Sequence, residues 1–380
     1  MDIALLVHTS NEWSRRVLMG VAHYGDDQGG WEFLIPQAKK NGEIGLPKNW
    51  NGDGIICRPT SPKLKQEILD RGLPCVNVSW LDQHTAKMPK VVSCELSCAE
   101  AAVNFLLEKQ FNHFGFIGFH PKLNYSDDLI QAVASKLDEE KKTLDVFPFP
   151  ENATTNSQQV KAMETWLRRL AKPCAVISWT SLSGQLLTRA CQKCDLNVPE
   201  DVAILCVEHD HLFSTLAPVP LTNLDQDPSR VGYTAAKLLH EMISGEPAPT
   251  APIRIPPISV IPRMSTDVAA VDDRILATAL RYIYENAKKG ITVSDVVKQV
   301  DVSRRALENK FQEHLRCSPG AYIKKTQLQF VARLLRTTKL TNAQIAIRAG
   351  FDYPEVMMRA FKKEYNMTPR AFRNAGAVPG

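Results

Sequence analysis

The sequence predicts two fold types in one chain. An α/β domain covers residues 1–265, a linker 266–272, and an all-α domain with two helix-turn-helix modules 273–380. Three observations carry this reading. Short apolar runs alternate with amphipathic stretches as far as residue 260. Near the C-terminus a small helical unit repeats at a period of about 50 residues. Charge also divides between the parts: residues 1–267 hold 26 Lys and Arg against 31 Asp and Glu, net −5, while 268–380 hold 20 against 10, net +10. A basic block confined to one third of the chain points to a polyanionic partner, because counterion release dominates nucleic-acid affinity.

In the first domain the apolar runs 3–7, 54–57, 75–78, 114–119, 175–178 and 202–207 read as buried parallel strands. Helical patterns at 14–24, 62–71, 98–109, 126–137, 157–170, 181–194 and 229–243 separate them. Such alternation predicts a parallel sheet covered on both faces, with ligands collecting beyond the carboxyl ends of its strands. A Pro-rich turn at 245–252 precedes a last extended run, 253–261, interrupted by Pro256 and Pro257.

The opening residues read as a first strand rather than a leader, lacking cationic residues before a short apolar run. No apolar run approaches the ~18 residues a membrane helix needs. Nine cysteines lie without framework spacing, as expected of reduced thiols in a cytoplasmic protein. Cys191-x-x-Cys194 has no second pair at zinc-ribbon distance and reads as structural. No metal and no cofactor is expected.

In the repeat Phe311 matches Phe361, Ser318-Pro319 matches Thr368-Pro369, and Tyr322 matches Phe372. Thr292 caps the first helix of the first module, Asp301-Val302 makes the turn, and Ser303 caps the second helix. Leu307, Phe311 and Leu315 form that helix's buried stripe. Its other face shows Arg304, Arg305, Glu308, Asn309 and Gln312. These are base-reading side chains: Arg can bind guanine bidentately, Asn adenine, and Glu can accept from cytosine. Ser318 and Pro319 begin a long linking helix to about Thr337. In the second module a helix at 342–349 stops at Gly350, and a second, from Pro354 to Glu364, exposes Glu355, Met358, Arg359 and Lys362 around Met357 and Phe361. Tandem modules of this kind place two helices in successive major grooves about 34 Å apart.

The pattern Ile345-Ala346-x-x-Ala349-Gly350-Phe351, then Phe361-Lys362-Lys363, then Thr368-Pro369-x-x-Phe372-Arg373 closely resembles the AraC/XylS signature over about the last 100 residues. The resemblance puts the base-reading slots on Arg305, Glu308 and Asn309, and on Tyr353, Glu355, Met358 and Arg359. Two positions depart: Asp301 stands where the family usually has Gly, and Tyr353 where it usually has Ser. With an acidic and an apolar residue in its slots, the second module is expected to read few bases and mainly grip phosphate.

Residues 1–265 resemble the two-lobed periplasmic-binding-protein-like core of LacI/GalR regulators. The resemblance rests on Asp53-Gly54-Ile55-Ile56, Leu73-Pro74-Cys75-Val76, Gly115-Phe116-Ile117-Gly118, Val198-Pro199-Glu200-Asp201-Val202-Ala203 and Gly232. A sensor followed by an AraC-like module resembles the xylose-operon regulator type. It implies a sugar or related small polar effector in the crevice. Trp13, Arg15, Glu95, Asp128, Thr180, Glu208, Asp225 and Gln226 are the implied contacts. Sugar sensors often carry Arg on the 126–137 helix and Asp at positions 180 and 208, so the identity of the effector stays open.

The expectation is a cytoplasmic, non-enzymatic transcription regulator. It would bind double-stranded operator DNA, respond to a sugar, pair as a homodimer, work with RNA polymerase as an activator, and have no membrane partner. Two alternatives stand beside it: an amidase- or hydrolase-like N-terminal domain, and a ligand-independent DNA-binding scaffold. The first lacks a Gly-x-Ser-x-Gly or Gly-x-Cys-x-Gly elbow; Cys57 is followed by Arg58-Pro59, and His8 and His120 stand alone.

Overall fold

The computed structural model describes residues 1–36, 44–80, 85, 87–118, 127–150, 155–267, 273–338, 340–365 and 367–376. They fall into two compact units, Met1–Thr266 and Asp267–Gly380.

The first unit is α/β and two-lobed. In the first lobe β1 (Asp2–Leu6), β2 (Glu32–Leu34), β3 (Gly54–Cys57) and β4 (Cys75–Asn77) form a parallel sheet in the order β2-β1-β3-β4. Helices α1 (Glu12–Gln28) and α2 (Pro62–Leu69) connect these strands, and β5 (Val91–Ser93) leads out of the lobe. The second lobe begins with α3 (Glu95–Glu108) and β6 (His113–Ile117), followed by α4 (Asp127–Glu139), β7 (Leu144–Val146) and α5 (Asn156–Arg169). It continues through β8 (Cys174–Ser178), α6 (Ser181–Lys193), β9 (Val202–Cys206), α7 (His211–Leu216) and β10 (Thr222–Asp225).

The chain then returns to the first lobe as α8 (Pro228–Ile243) and β11 (Ile253–Ile255), and crosses once more to β12 (Ser259–Ile261). The second sheet runs β12-β10-β9-β8-β6-β7, parallel except for the β10–β12 pair. β5 pairs with β11, in register Val91 to Ile253, so two of the three crossings lie side by side.

The fully buried residues of β3, β8 and β9 explain their unbroken apolar runs: helices cover both faces. Helices α1 and α8 share one core built on Val17, Val21, Val231 and Ala235. Their approach demands glycine: a Cβ on Gly232 would sit 1.9 Å from the Val17 carbonyl oxygen, and one on Gly20 1.9 Å from that of Ser229. Two helices start earlier than their apolar patterns suggest, because Asn11 caps α1 by accepting from Ser14 N and α3 opens at Glu95. β2, β5 and β7 were not expected; at three residues each they are too short to show a period. Residue 119 of the expected 114–119 strand and residue 126 of the expected 126–137 helix lie outside the described residues, as does His120.

The second unit is helical. Before the modules comes an amphipathic helix, α9 (Arg274–Asn286). The first module is α10 (Val293–Gln299) and α11 (Arg304–Leu315), linked by α12 (Pro319–Thr337) to α13 (Asn342–Arg348) and α14 (Pro354–Tyr365), with α15 (Pro369–Gly376) closing. Thr292, Ser303, Ser318 and Thr341 each accept a backbone N–H of the helix they start. Each module has its own core. Leu280, Ile283, Val296, Leu307, Phe311 and Ile323 fill the first; Leu328, Val331, Ile345, Met357 and Phe361 fill the second. α12 therefore serves both cores.

Candidate functional site

A cavity of about 350 Å³ lies between the two lobes of the first unit. Many of its lining residues lie in the segments that follow the strands: Trp13 at the start of α1 after β1, Arg58 after β3, Trp80 after β4, Trp179 after β8, Glu208 and Asp210 after β9. This is where a parallel sheet leaves backbone groups and loops open to a ligand, and its volume falls within the ~300–1,000 Å³ of small-molecule sites.

Four of the eight expected contact residues line the cavity: Trp13, Thr180, Glu208 and Gln226. Trp13 is held in the first turn of α1, with the Arg58 guanidinium 5.9 Å from its ring centre. Thr180 caps α6, its hydroxyl accepting from Ser183 N at 3.0 Å, so part of its hydrogen-bonding capacity serves the helix. Glu208 has its backbone fixed: its N–H donates to Trp179 O at 2.8 Å, and its carbonyl accepts from Ser181 Oγ at 2.9 Å. Burial pushes its carboxyl up to about 7 against the pull of Arg58, with Asp210 and Glu12 adding to the rise. The protonated form, which can donate, is therefore favoured well beyond that of an ordinary carboxyl. Gln226 is buried in the second crossing, between β10 and α8.

The other four lie elsewhere. Arg15 is exposed and its Nη1 donates to the Thr9 carbonyl at 2.8 Å; one residue along the helix, Arg16 takes the inward direction and pairs with Asp225 at 2.9 Å. Asp225 also accepts from Asp227 N, so it locks the crossing rather than facing the cavity. Glu95 is buried at the start of α3, and burial pushes its carboxyl up to about 8, with Asp128 raising it and Arg254 and Lys90 lowering it. Asp128 is exposed on α4.

Arg58, Trp80 and Trp179 were missed, although each immediately follows a strand or its last turn. The rule of strand carboxyl ends would have found them. Trp80 is held between the Lys90 ammonium and the Arg254 guanidinium, 6.0 and 5.6 Å from its ring centre. Among the described residues lining the cavity, Arg58 is the cation and Glu208 and Asp210 the carboxyl groups.

In the second unit Arg304, Arg305, Glu308, Asn309 and Gln312 are all exposed on α11, opposite buried Leu307 and Phe311. Arg304 Nε pairs with Glu308 Oε1 at 3.0 Å, so those two side chains hold one another on the surface. On α14, Glu355, Arg359 and Lys362 are exposed, and Tyr353 just before it is 66% exposed. Met358 differs from expectation. It is half-buried against the second core, and its sulfur accepts from Asn342 Nδ2 at 3.5 Å.

No grouping of three or more His, Cys, Asp or Glu that could hold a metal occurs among the described residues. Cys57 is wholly buried at the end of β3, and Cys191 is buried inside α6. No described helix is long and apolar enough to cross a membrane.

A periplasmic binding protein-like domain family matches residues 103–266, and a helix-turn-helix domain family matches 296–375. The xylose operon regulatory protein of Escherichia coli K12 is 28% identical over 382 aligned residues, covering 99% of this chain and 97% of that protein. A solved structure of a xylose-binding transcription activator, xylR, aligns with a TM-score of 0.71 at 28% identity, covering 99% of this chain and 98% of that one. A Proteus vulgaris protein described as "Probable transcription factor PqrA" is 30% identical over 91 residues, 24% of this chain and 75% of its own length.

Proposed function

The chain belongs to the AraC/XylS-type DNA-binding transcription regulators with a periplasmic-binding-protein-like domain, and from that premise we propose that it senses a neutral sugar in the interlobe cavity. The observation that carries this is the cavity itself: Trp13, Trp80 and Trp179 around a mixed polar wall of Arg58, Glu208 and Gln226. Aromatic faces suit the C–H faces of a sugar ring, and each hydroxyl needs both a donor and an acceptor. Arg58 supplies donors; the Glu208 carboxyl, raised by burial, accepts when ionised and donates when protonated. With one cation against two carboxyl groups among the described lining residues, the wall disfavours a polyanion such as a sugar phosphate.

On this reading α11 is the principal base-reading helix, through Arg305, Asn309, Gln312 and the Arg304–Glu308 pair. Tyr353, Glu355, Arg359 and Lys362 of the second module read few bases and mainly grip phosphate, with Met358 a packing residue. The sugar binds the DNA-competent arrangement better than the alternative, since a ligand without such a difference shifts nothing. The protein works in the cytoplasm as a homodimer, recruits RNA polymerase, and activates an operon for use of a xylose-like sugar. The names of the similar regulators support the choice of sugar and operon.

A thermal-shift screen of the full chain against pentoses, hexoses, sugar alcohols and uronates tests the sensor reading. A ligand that binds only the folded state raises Tm as RT ln(1 + [L]/Kd). A shift with a neutral pentose or hexose is expected; no shift with any neutral sugar would overturn the assignment.

A further inference from the structure

Where the two helix-turn-helix modules meet, the structure uses one side chain twice. Gln327, in the middle of α12, is buried, and its Nε2 donates to the Ala287 carbonyl at 3.1 Å and to the Gly350 carbonyl at 3.0 Å. Ala287 ends α9, which packs in the first core; Gly350 follows α13, which packs in the second. The Gly350 carbonyl lies just past the C-terminal residue of α13, where a carbonyl is costly to bury unpaired, and the Ala287 carbonyl, which also accepts from Gly290 N at 3.1 Å, uses its second lone pair for the amide. One amide satisfies one from each module.

The surrounding geometry points the same way. Gly290 and Gly350 both adopt left-handed backbone, with φ +75° and +74°, and their main chains touch. A Cβ on Gly350 would lie 2.5 Å from Gly290 N and 2.8 Å from Ala287 O, so the contact is backbone on backbone. Above it Lys324 Nζ stands 4.4 Å from the Phe351 ring centre, joining α12 to a residue of the second core. Along α12, Ile323 belongs to the first core and Leu328 and Val331 to the second, with Gln327 between them.

Two cores joined by a helix alone could flex about it. We infer that Gln327 is a positioning residue for DNA reading: by clamping the Ala287 and Gly350 carbonyls it fixes α11 relative to α14, so that the protein accepts two DNA elements at one separation only. This rests on α11 and α14 being the DNA-facing helices.

The test is in vitro selection of binding sites from a randomised duplex pool by the full-length protein, followed by affinity measurements on the selected duplex with one base pair inserted between the two elements. The wild type should return a full element read by α11 and a shorter, weaker one read by the few base contacts of α14, at a single spacing, and lose about tenfold or more on insertion, roughly 1.4 kcal/mol. Gln327→Met matches the side chain in length and removes both donors. It should bind the selected duplex more weakly, yet change little on insertion, while keeping the wild-type circular dichroism spectrum. Gly350→Ala, which attacks the same contact from the other side, should behave alike. Two elements whose separation drifts in the wild-type pool, or a wild type indifferent to insertion, would overturn the inference without touching the DNA-binding reading. That result needs no variant to fold. A wild type that selects no sequence would overturn both.

Discussion

Glu12 and Asp210 cap each other's helices across the cleft. Glu12 N, in the first turn of α1, donates to Asp210 Oδ2 at 3.2 Å, and His211 N, in the first turn of α7, donates to Glu12 Oε2 at 2.5 Å. Asp210 Oδ1 also accepts from Leu212 N and Phe213 N. Each lobe thus supplies the carboxylate that answers a helix N-terminus of the other. The arrangement is one edge of the cavity, since Asp210 lines it.

Asp210→Ala removes a helix cap and a cross-lobe acceptor together. It should cost about 1–2 kcal/mol of stability, read as a lower urea midpoint at unchanged slope. An unaltered midpoint would mean that α7 is held by other contacts.

Gly232→Ala should be far more damaging than its one methyl group suggests. The added Cβ would meet the Val17 carbonyl at 1.9 Å, backbone against backbone, and α1 and α8 would have to separate. A loss of roughly 3 kcal/mol or more is expected, visible as a large drop in Tm. A variant as stable as the wild type would show that the two helices do not pack this closely.

Stability should fall as pH rises through the range set by Glu95. Its folded carboxyl sits at about 8 because burial and Asp128 oppose ionisation. An unfolded Glu titrates at about 4.3. Between those values the folded state holds a proton that the unfolded state has released, so stability declines across that window and levels off above it. Glu95→Gln should flatten the decline of Tm between about pH 5 and 8. If the variant and the wild type lose stability in parallel, Glu95 ionises normally.

Arg305→Ala should lose about 1–3 kcal/mol on the selected duplex and relax the preference at one base position. An equal loss on random DNA would make it a phosphate contact.

How much of this was legible in the sequence depends on the range of the interactions involved. The caps Thr292, Ser303 and Ser318 were legible because capping is local: a hydroxyl and the backbone N–H three residues on. The stripe Leu307–Phe311 was legible because helical period fixes which face is buried. The cavity was only half legible. Trp13 and Glu208 follow strands that the pattern reveals, but whether Arg15 or Arg16 turns inward depends on where α1 begins, and that is set by Asn11. The Arg16–Asp225 pair joins residues far apart in the chain and left no local mark. Gln327 looked like an ordinary polar helix residue; its role depends on two carbonyls, 40 and 23 residues away.

The most direct test of the account is operator affinity, by fluorescence anisotropy on the selected duplex, with and without the neutral sugar that raises Tm. For the wild type a change of about fivefold or more at saturating sugar is expected, within the usual range of allosteric coupling. Arg58→Ala should lose that response while keeping basal DNA binding, and Arg15→Ala should keep it. Equal affinity with and without sugar in the wild type would contradict the central claim that the cavity controls the DNA-binding unit.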